Sequence, residues 1–137
     1  QLAIRSAAGL FPDGTPFPTT YYATCPRLTA ALSTLESEGV MKDMQRRLGE
    51  DPSLAEGYRR AHTAYLADSA LLGVPEEIDG ISAGGMPDRV KCLHVLAAHA
   101  LAAGPGVNPL GDQTLALLPQ WWTTQPCAPA ENEGADR

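Results

Sequence analysis

Several features that mark large classes of proteins are missing from this sequence. Only 3 of its 137 residues are cysteine, and none of them forms a Cys-x-x-Cys pair. An odd, irregularly spaced set of cysteines predicts a reducing compartment and not a disulfide framework. The sequence also has no apolar run of transmembrane length and no secretory leader pattern. We therefore predict no membrane insertion and a cytoplasmic location.

Positive charge is scarce as well. The chain has 10 Lys and Arg residues against 16 Asp and Glu residues, so its net charge is -6. Proteins that bind nucleic acid need a basic surface to displace counterions from phosphates, so this balance argues against a nucleic-acid partner. The length predicts one globular domain over 1–122. The polar residues 123–137, which become acidic near their end, predict a disordered tail.

The first part of the chain predicts extended structure. Residues 2–8 and 19–24 carry strand-forming residues, and the turn-favouring pair Asp13-Gly14 lies among the prolines between them. We expect an N-terminal β-hairpin or extended segment that packs on helices, because a lone hairpin is only marginally stable.

The rest of the chain predicts about five helices, which makes the expected fold class α+β and mostly helical. Residues suited to helix starts stand at Pro26, Asp51-Pro52 and Asn108-Pro109. The most apolar helix is predicted over Arg89 to Ala103, with Asp88 as its N-cap. Because that helix is apolar on both sides, it is expected in the middle of the fold.

The three histidines all fall inside predicted helices. His62 lies on the same helical face as two tyrosines, and this face is expected to be buried. His94 and His99 are five residues apart, which separates them by about 140° around a helix and by about 7.5 Å along it. That spacing does not allow both rings to bind one ion.

A metal site is the first hypothesis for these histidines. It requires His62 and His94 to converge from separate helices, with Cys25, Glu36 or Glu38 as a further ligand to zinc or iron. His99 and Cys92 are the least suited to one shared ion, since they lie about 10 Å apart along the predicted helix. The alternative is that the histidines are core residues, hydrogen-bonded to backbone or tyrosine.

Cys25 and Cys92 have different predicted environments. Cys25 precedes Pro26 and falls at a predicted helix N-cap, where amide N–H groups and the helix dipole lower a thiol pKa. It is therefore a candidate metal ligand, or the catalytic nucleophile of a cysteine-dependent hydrolase or transferase, unless it merely caps the helix. For Cys92, the alternative to a role as metal ligand is that of a small buried hydrophobic residue.

A glycine-containing turn stands before the predicted central helix. Ser82-Ala83-Gly84-Gly85 is similar to an anion-binding turn, although it lacks the Gly-Lys-Ser/Thr pattern of a P-loop. The residues that follow, Asp88, Arg89 and Lys91, either contact a ligand or cap the helix and face solvent.

Several segments in combination resemble one bacterial family, abundant in actinobacteria and known as domain of unknown function five-hundred-and-one. The segments are Pro12-Asp13-Gly14-Thr15-Pro16-Phe17-Pro18-Thr19, Thr24-Cys25-Pro26, Leu35-Glu36-Ser37-Glu38-Gly39, Ala61-His62, Gly84-Gly85-Met86-Pro87, Lys91-Cys92-Leu93-His94, Ala98-His99 and Asn108-Pro109-Leu110-Gly111. The resemblance covers about Leu2 to Leu118. It implies a cytoplasmic protein and no particular reaction, and it singles out Cys25, His62, Cys92, His94 and His99.

The resemblance also implies a gene neighbourhood with enolase, a septum-formation initiator and an exopolyphosphatase. This suggests a second hypothesis, a non-catalytic adaptor that binds a protein of cell division or envelope growth. Trp121-Trp122 is a candidate anchor for that partner, because tryptophan is enriched at binding hot spots, or it folds back on the core.

Overall fold

Helices dominate the computed structural model of this chain, which describes residues 2–5, 9–73, 75–124 and 127. Within these residues the five α-helices are α1 (Pro26–Ser37), α2 (Val40–Glu50), α3 (Pro52–Ala70), α4 (Leu93–Ala103) and α5 (Pro109–Ala116). Short 3-10 turns cover Glu76–Ile78 and Trp121–Thr123. The predicted α+β, mostly helical fold class is confirmed. The tail predicted over 123–137 lies mostly outside the described residues.

The N-terminal strands form the predicted antiparallel hairpin. Strand β1 (Ala3–Arg5) pairs with β4 (Tyr21–Ala23), and β2 (Gly9–Leu10) pairs with β3 (Pro16–Phe17). Gly14, with a φ of 87°, occupies the tight turn between β2 and β3 in a conformation that favours glycine. Helix α4 packs against both β1 and β4, so the hairpin rests on the helices as expected.

Helices α3 and α5 begin with the capping chemistry that the sequence predicts. The Asp51 carboxylate accepts the Ser53 and Leu54 N–H groups at the start of α3. The Asn108 side chain accepts the Gly111 N–H at the start of α5. Each bond satisfies an amide that the first helical turn leaves without an intrahelical acceptor.

The apolar helix α4 lies in the middle of the fold, between α1, α5 and the hairpin. Leu93, Leu96 and Ala97 on α4 are fully buried. Gly111 of α5 faces this helix so closely that a Cβ atom there would overlap the Leu96 carbonyl oxygen. The absence of a side chain at Gly111 therefore permits the close approach of α4 and α5. No helix of the described residues is long and apolar enough to span a bilayer.

The start of α4 differs from the sequence-based prediction. The helix begins at Leu93 and not at Arg89, and its N-cap is Cys92 and not Asp88. The reason is a closed loop, in which the Arg89 N–H donates to the Gly85 carbonyl and the Lys91 N–H to the Gly84 carbonyl. These bonds hold residues 85–91 outside the helix, and they leave Cys92 at the helix edge.

Candidate metal centre

Three potential metal ligands meet where the N-terminus of α4 approaches α1. Glu36, Cys92 and His94 each offer one ligand atom, and these three atoms lie within 4.8 Å of one another. Glu36 comes from the last turn of α1, Cys92 is the N-cap of α4, and His94 is in the first turn of α4. All three side chains are partly buried.

One face of α1 provides the surroundings of the His94 ring. Thr29, Ser33 and Glu36 recur at i, i+4 and i+7, the spacing of a single helical face. The His94 Nδ1 atom lies 3.0 Å from the Glu36 Oε1 atom, and Nε2 lies 3.2 Å from the Thr29 carbonyl oxygen. The Ser33 hydroxyl is 3.3 Å from the same Nε2 atom. The ring is therefore fixed at both nitrogens.

Glu36 has a second contact at this junction. Its Oε1 atom accepts the Leu93 N–H at 2.9 Å, whereas the Cys92 side chain makes no capping hydrogen bond. Glu36 thus caps α4 from a neighbouring helix, and a carboxylate is favourable at a helix N-terminus.

The surroundings of Cys92 favour its neutral thiol over the thiolate. Burial raises the pKa of Cys92, and the negative charge of Glu36 raises it further. A bound cation would reverse this effect, because a thiol that coordinates a metal is deprotonated and releases its proton to solvent. Binding of a metal through Cys92 would consequently release a proton.

His62 lies in a different environment from His94. Its Nδ1 atom is 2.7 Å from the Ser82 hydroxyl oxygen, and burial lowers the pKa of its imidazole. No group of three candidate ligands among the described residues includes His62, Cys25, Glu38 or His99. The structure thus brings His94 together with Glu36 and Cys92, and it does not add His62 to that group.

His99 is enclosed in the core. Its ring stacks on Tyr21 with the centroids 5.5 Å apart and meets the edge of Tyr65 at 5.0 Å. The Asn108 Nδ2 group donates to His99 Nδ1 at 3.1 Å, and Asn108 is held in this orientation because its Oδ1 atom accepts the Gly111 N–H. The ring proton of His99 is therefore on Nε2, a buried atom without a hydrogen-bond partner in the described part of the chain.

Cys25 occupies the predicted N-cap of α1, but its thiol is only 1% exposed. The Sγ atom lies 3.4 Å from the Cys127 carbonyl oxygen, to which it donates. Contact with the Cys25 thiol raises the pKa of Cys127. The Cys25 side chain is therefore inaccessible to an electrophile in this structure.

Sequence reasoning included Glu36 and His94 among the candidate ligands and rated Cys92 among the least suited. The placement of Cys92 at the N-cap, instead of inside a helix, is what brings it beside His94. The Cys-x-His spacing at a helix start is the sequence signal for this pair. Trp122, the candidate anchor, is half-buried and packs against the core.

Comparison with known proteins gives one match. A family model described as "Protein of unknown function (DUF501)" matches residues 2–116. Searches of curated proteins and of solved structures give no match.

Proposed function

We propose that this chain, which belongs to the DUF501 family of proteins of unknown function, binds a zinc ion through Glu36, Cys92 and His94. The observation that carries the proposal is the set of three different donor atoms within 4.8 Å of one another. Carboxylate oxygen, thiolate sulfur and imidazole nitrogen are all established zinc ligands, and a set that includes sulfur and nitrogen favours zinc over magnesium or calcium.

The orientation of His94 supports the proposal. A histidine that binds a metal through one ring nitrogen usually donates its other N–H to a carbonyl or carboxylate. The His94 Nε2 atom is within hydrogen-bond distance of the Thr29 carbonyl oxygen, and Nδ1 faces Glu36. A proton on Nε2 leaves the Nδ1 lone pair directed at the space that a metal shares with the carboxylate.

The number of ligands indicates the class of chemistry. Structural zinc sites usually have four protein ligands, whereas catalytic sites have three and keep a position for water. About a quarter of the His94 and Glu36 side-chain surfaces is exposed, at 28% and 25%, so water reaches this edge of the site. Zinc lowers the pKa of bound water, so hydrolysis is the reaction class to screen first.

A purely structural role for the same residues is the competing explanation. Glu36 caps α4 and pairs with His94, and these contacts hold α1 against α4 without an ion. The substitution Glu36→Gln separates the two roles. A glutamine oxygen still accepts the Leu93 N–H, but the carboxylate ligand is lost.

Zinc affinity is the measurement that tests the proposal. Protein purified without an affinity metal is titrated against a chromophoric zinc chelator, as wild type and as the variants E36Q, C92S and H94A. We expect one site in wild type and a loss of affinity of about 100-fold or more in each variant, because even outer-shell changes cost up to about that much.

His62→Ala is the matched control, since it also removes a half-buried histidine but lies outside the three-ligand group. Its zinc affinity is expected to match that of wild type. A folded wild-type protein that binds no zinc, or an equal loss in H62A and H94A, would contradict the proposal.

A cytoplasmic location and a partner in cell division remain predictions of the family resemblance. The half-buried Trp122 offers less free surface to a partner than an exposed anchor would. A role of Cys25 as nucleophile requires a conformational change that exposes its thiol, because Cys25 is only 1% exposed.

A further inference from the structure

A polar cavity lies beside the loop that precedes α4. Its volume is about 470 Å³, which exceeds the space taken by a small inorganic ion. The loop residues 82–86 form one wall. Asp88, Arg89 and Lys91 also line the cavity. The metal ligands proposed above are not among its lining residues.

The loop that lines this cavity contains two consecutive glycines, Gly84 and Gly85. Gly84 and Gly85 have φ values of 69° and 90°, and neither amide N–H donates to another group in the described residues. A Cβ atom at Gly85 would come within 2.8 Å of the Arg89 carbonyl oxygen, so the loop requires glycine there. Consecutive amides in such a turn form a concave site for an anion.

Two cationic side chains line the same cavity without a counterion. Within the described residues, no ion pair or side-chain hydrogen bond involves Arg89 or Lys91, whereas Arg46 and Arg47 are paired with Asp43. Unpaired cations at one cavity are notable in a chain with a net charge of -6. Asp88 lines the cavity too, so both cations are needed for a net attraction to an anion.

We infer that this cavity binds a phosphomonoester, with its phosphate on the Gly84 and Gly85 amides and near Arg89 and Lys91. A phosphomonoester carries close to two negative charges and three acceptor oxygens, which matches two cations and two amide donors. A carboxylate offers one charge and two oxygens. The volume beyond the phosphate accommodates the organic group of the ester.

The test uses ¹⁵N-labelled protein stripped of metal with a chelator, so that its result does not depend on the zinc site. Phenyl phosphate is titrated while the Gly84 and Gly85 amide resonances are followed. We expect saturable shifts of both amides. The substitution Lys91→Gln is expected to weaken binding about tenfold, which corresponds to the loss of one charge-assisted contact.

The substitution Lys42→Gln is the matched control, because Lys42 is also an exposed lysine but does not line the cavity. We expect it to leave the affinity unchanged. An equal loss of affinity for phenyl phosphate in K42Q and K91Q would show that only the net charge of the protein matters, and it would overturn the inference. Unshifted Gly84 and Gly85 amides, or acetate binding as tightly as phenyl phosphate, would overturn it too.

Discussion

The two histidines of α4 occupy opposite kinds of environment although only five residues separate them. His94, at the start of the helix, is 28% exposed and has polar partners at both ring nitrogens. His99, in the middle, has no exposed surface and leaves Nε2 without a partner in the described residues. The comparison shows that two histidines on one helix differ in their access to a ligand because they face different neighbours.

Physical reasons for the difference lie in the neighbouring elements. The start of α4 meets a polar face of α1, whose Glu36 carboxylate accepts the Leu93 N–H and remains close to His94. The middle of α4 meets the aromatic rings of Tyr21 and Tyr65 instead. Three candidate metal ligands therefore meet at the helix end, and a closed aromatic cluster lies at its centre.

Replacing each histidine by alanine is expected to give the largest contrast in stability. His99→Ala removes a fully buried ring, so it should lower the free energy of unfolding by about 3 kcal/mol. His94→Ala, at the partly exposed end of the helix, should lower the free energy of unfolding of the metal-free protein by about 1 kcal/mol. Urea denaturation of both variants measures the difference. A His99→Ala variant as stable as His94→Ala would contradict the assignment of His99 to the core.

The buried histidine should also make stability depend on pH. Burial lowers the pKa of His99 below its usual value of 6.5, although the charges of Asp68 and Asp112 oppose this. Between the folded and unfolded pKa values the unfolded chain binds more protons, so stability is full above about pH 6.5 and falls as pH decreases. His62, with its pKa also lowered by burial, contributes in the same direction.

Urea denaturation over a series of pH values compares wild type with His99→Gln and His62→Gln. The loss of stability below pH 6.5 should become shallower in both variants, and more so for His99→Gln because His99 is the fully buried residue. An unchanged pH dependence in His99→Gln would show that protonation of this ring does not oppose folding.

A smaller effect is expected from the Glu36 cap. Glu36→Ala leaves the Leu93 N–H without its acceptor and should lower the free energy of unfolding by about 1 kcal/mol. Glu36→Gln retains an acceptor and should lower it by less. Thermal denaturation of both metal-free variants provides the comparison. If the two variants were equally stable, the hydrogen bond to Leu93 would not matter to the start of α4.

Local rules predicted the parts of this fold that local chemistry determines. Asp51 and Asn108 cap α3 and α5 as their side chains indicate, and Asp13-Gly14 marks the turn of the hairpin. The same rules were wrong at Asp88, because the helix start there is displaced by hydrogen bonds from Arg89 and Lys91 to two glycine carbonyls. Such loop bonds have no periodic signature in the sequence.

The composition of the candidate site depends on contacts between distant residues. Glu36 and His94 are 58 positions apart, and their pairing requires that α1 lie against the start of α4. Spacing within one helix identified His94 as a candidate, but the sequence-based prediction placed His62 beside it and rated Cys92 among the least suited. Because α4 begins at Leu93, Cys92 lies at the helix edge beside His94.

The most direct test of the metal site is a cobalt titration, because cobalt replaces zinc at many zinc sites and absorbs light when a thiolate binds it. We expect wild type to develop a thiolate-to-cobalt charge-transfer band that saturates at one equivalent, and we expect the same band in His62→Ala. The band should be absent in Cys92→Ser. A band that persists in Cys92→Ser, or a folded wild type without any band, would contradict the assignment of Cys92, His94 and Glu36 as a metal centre.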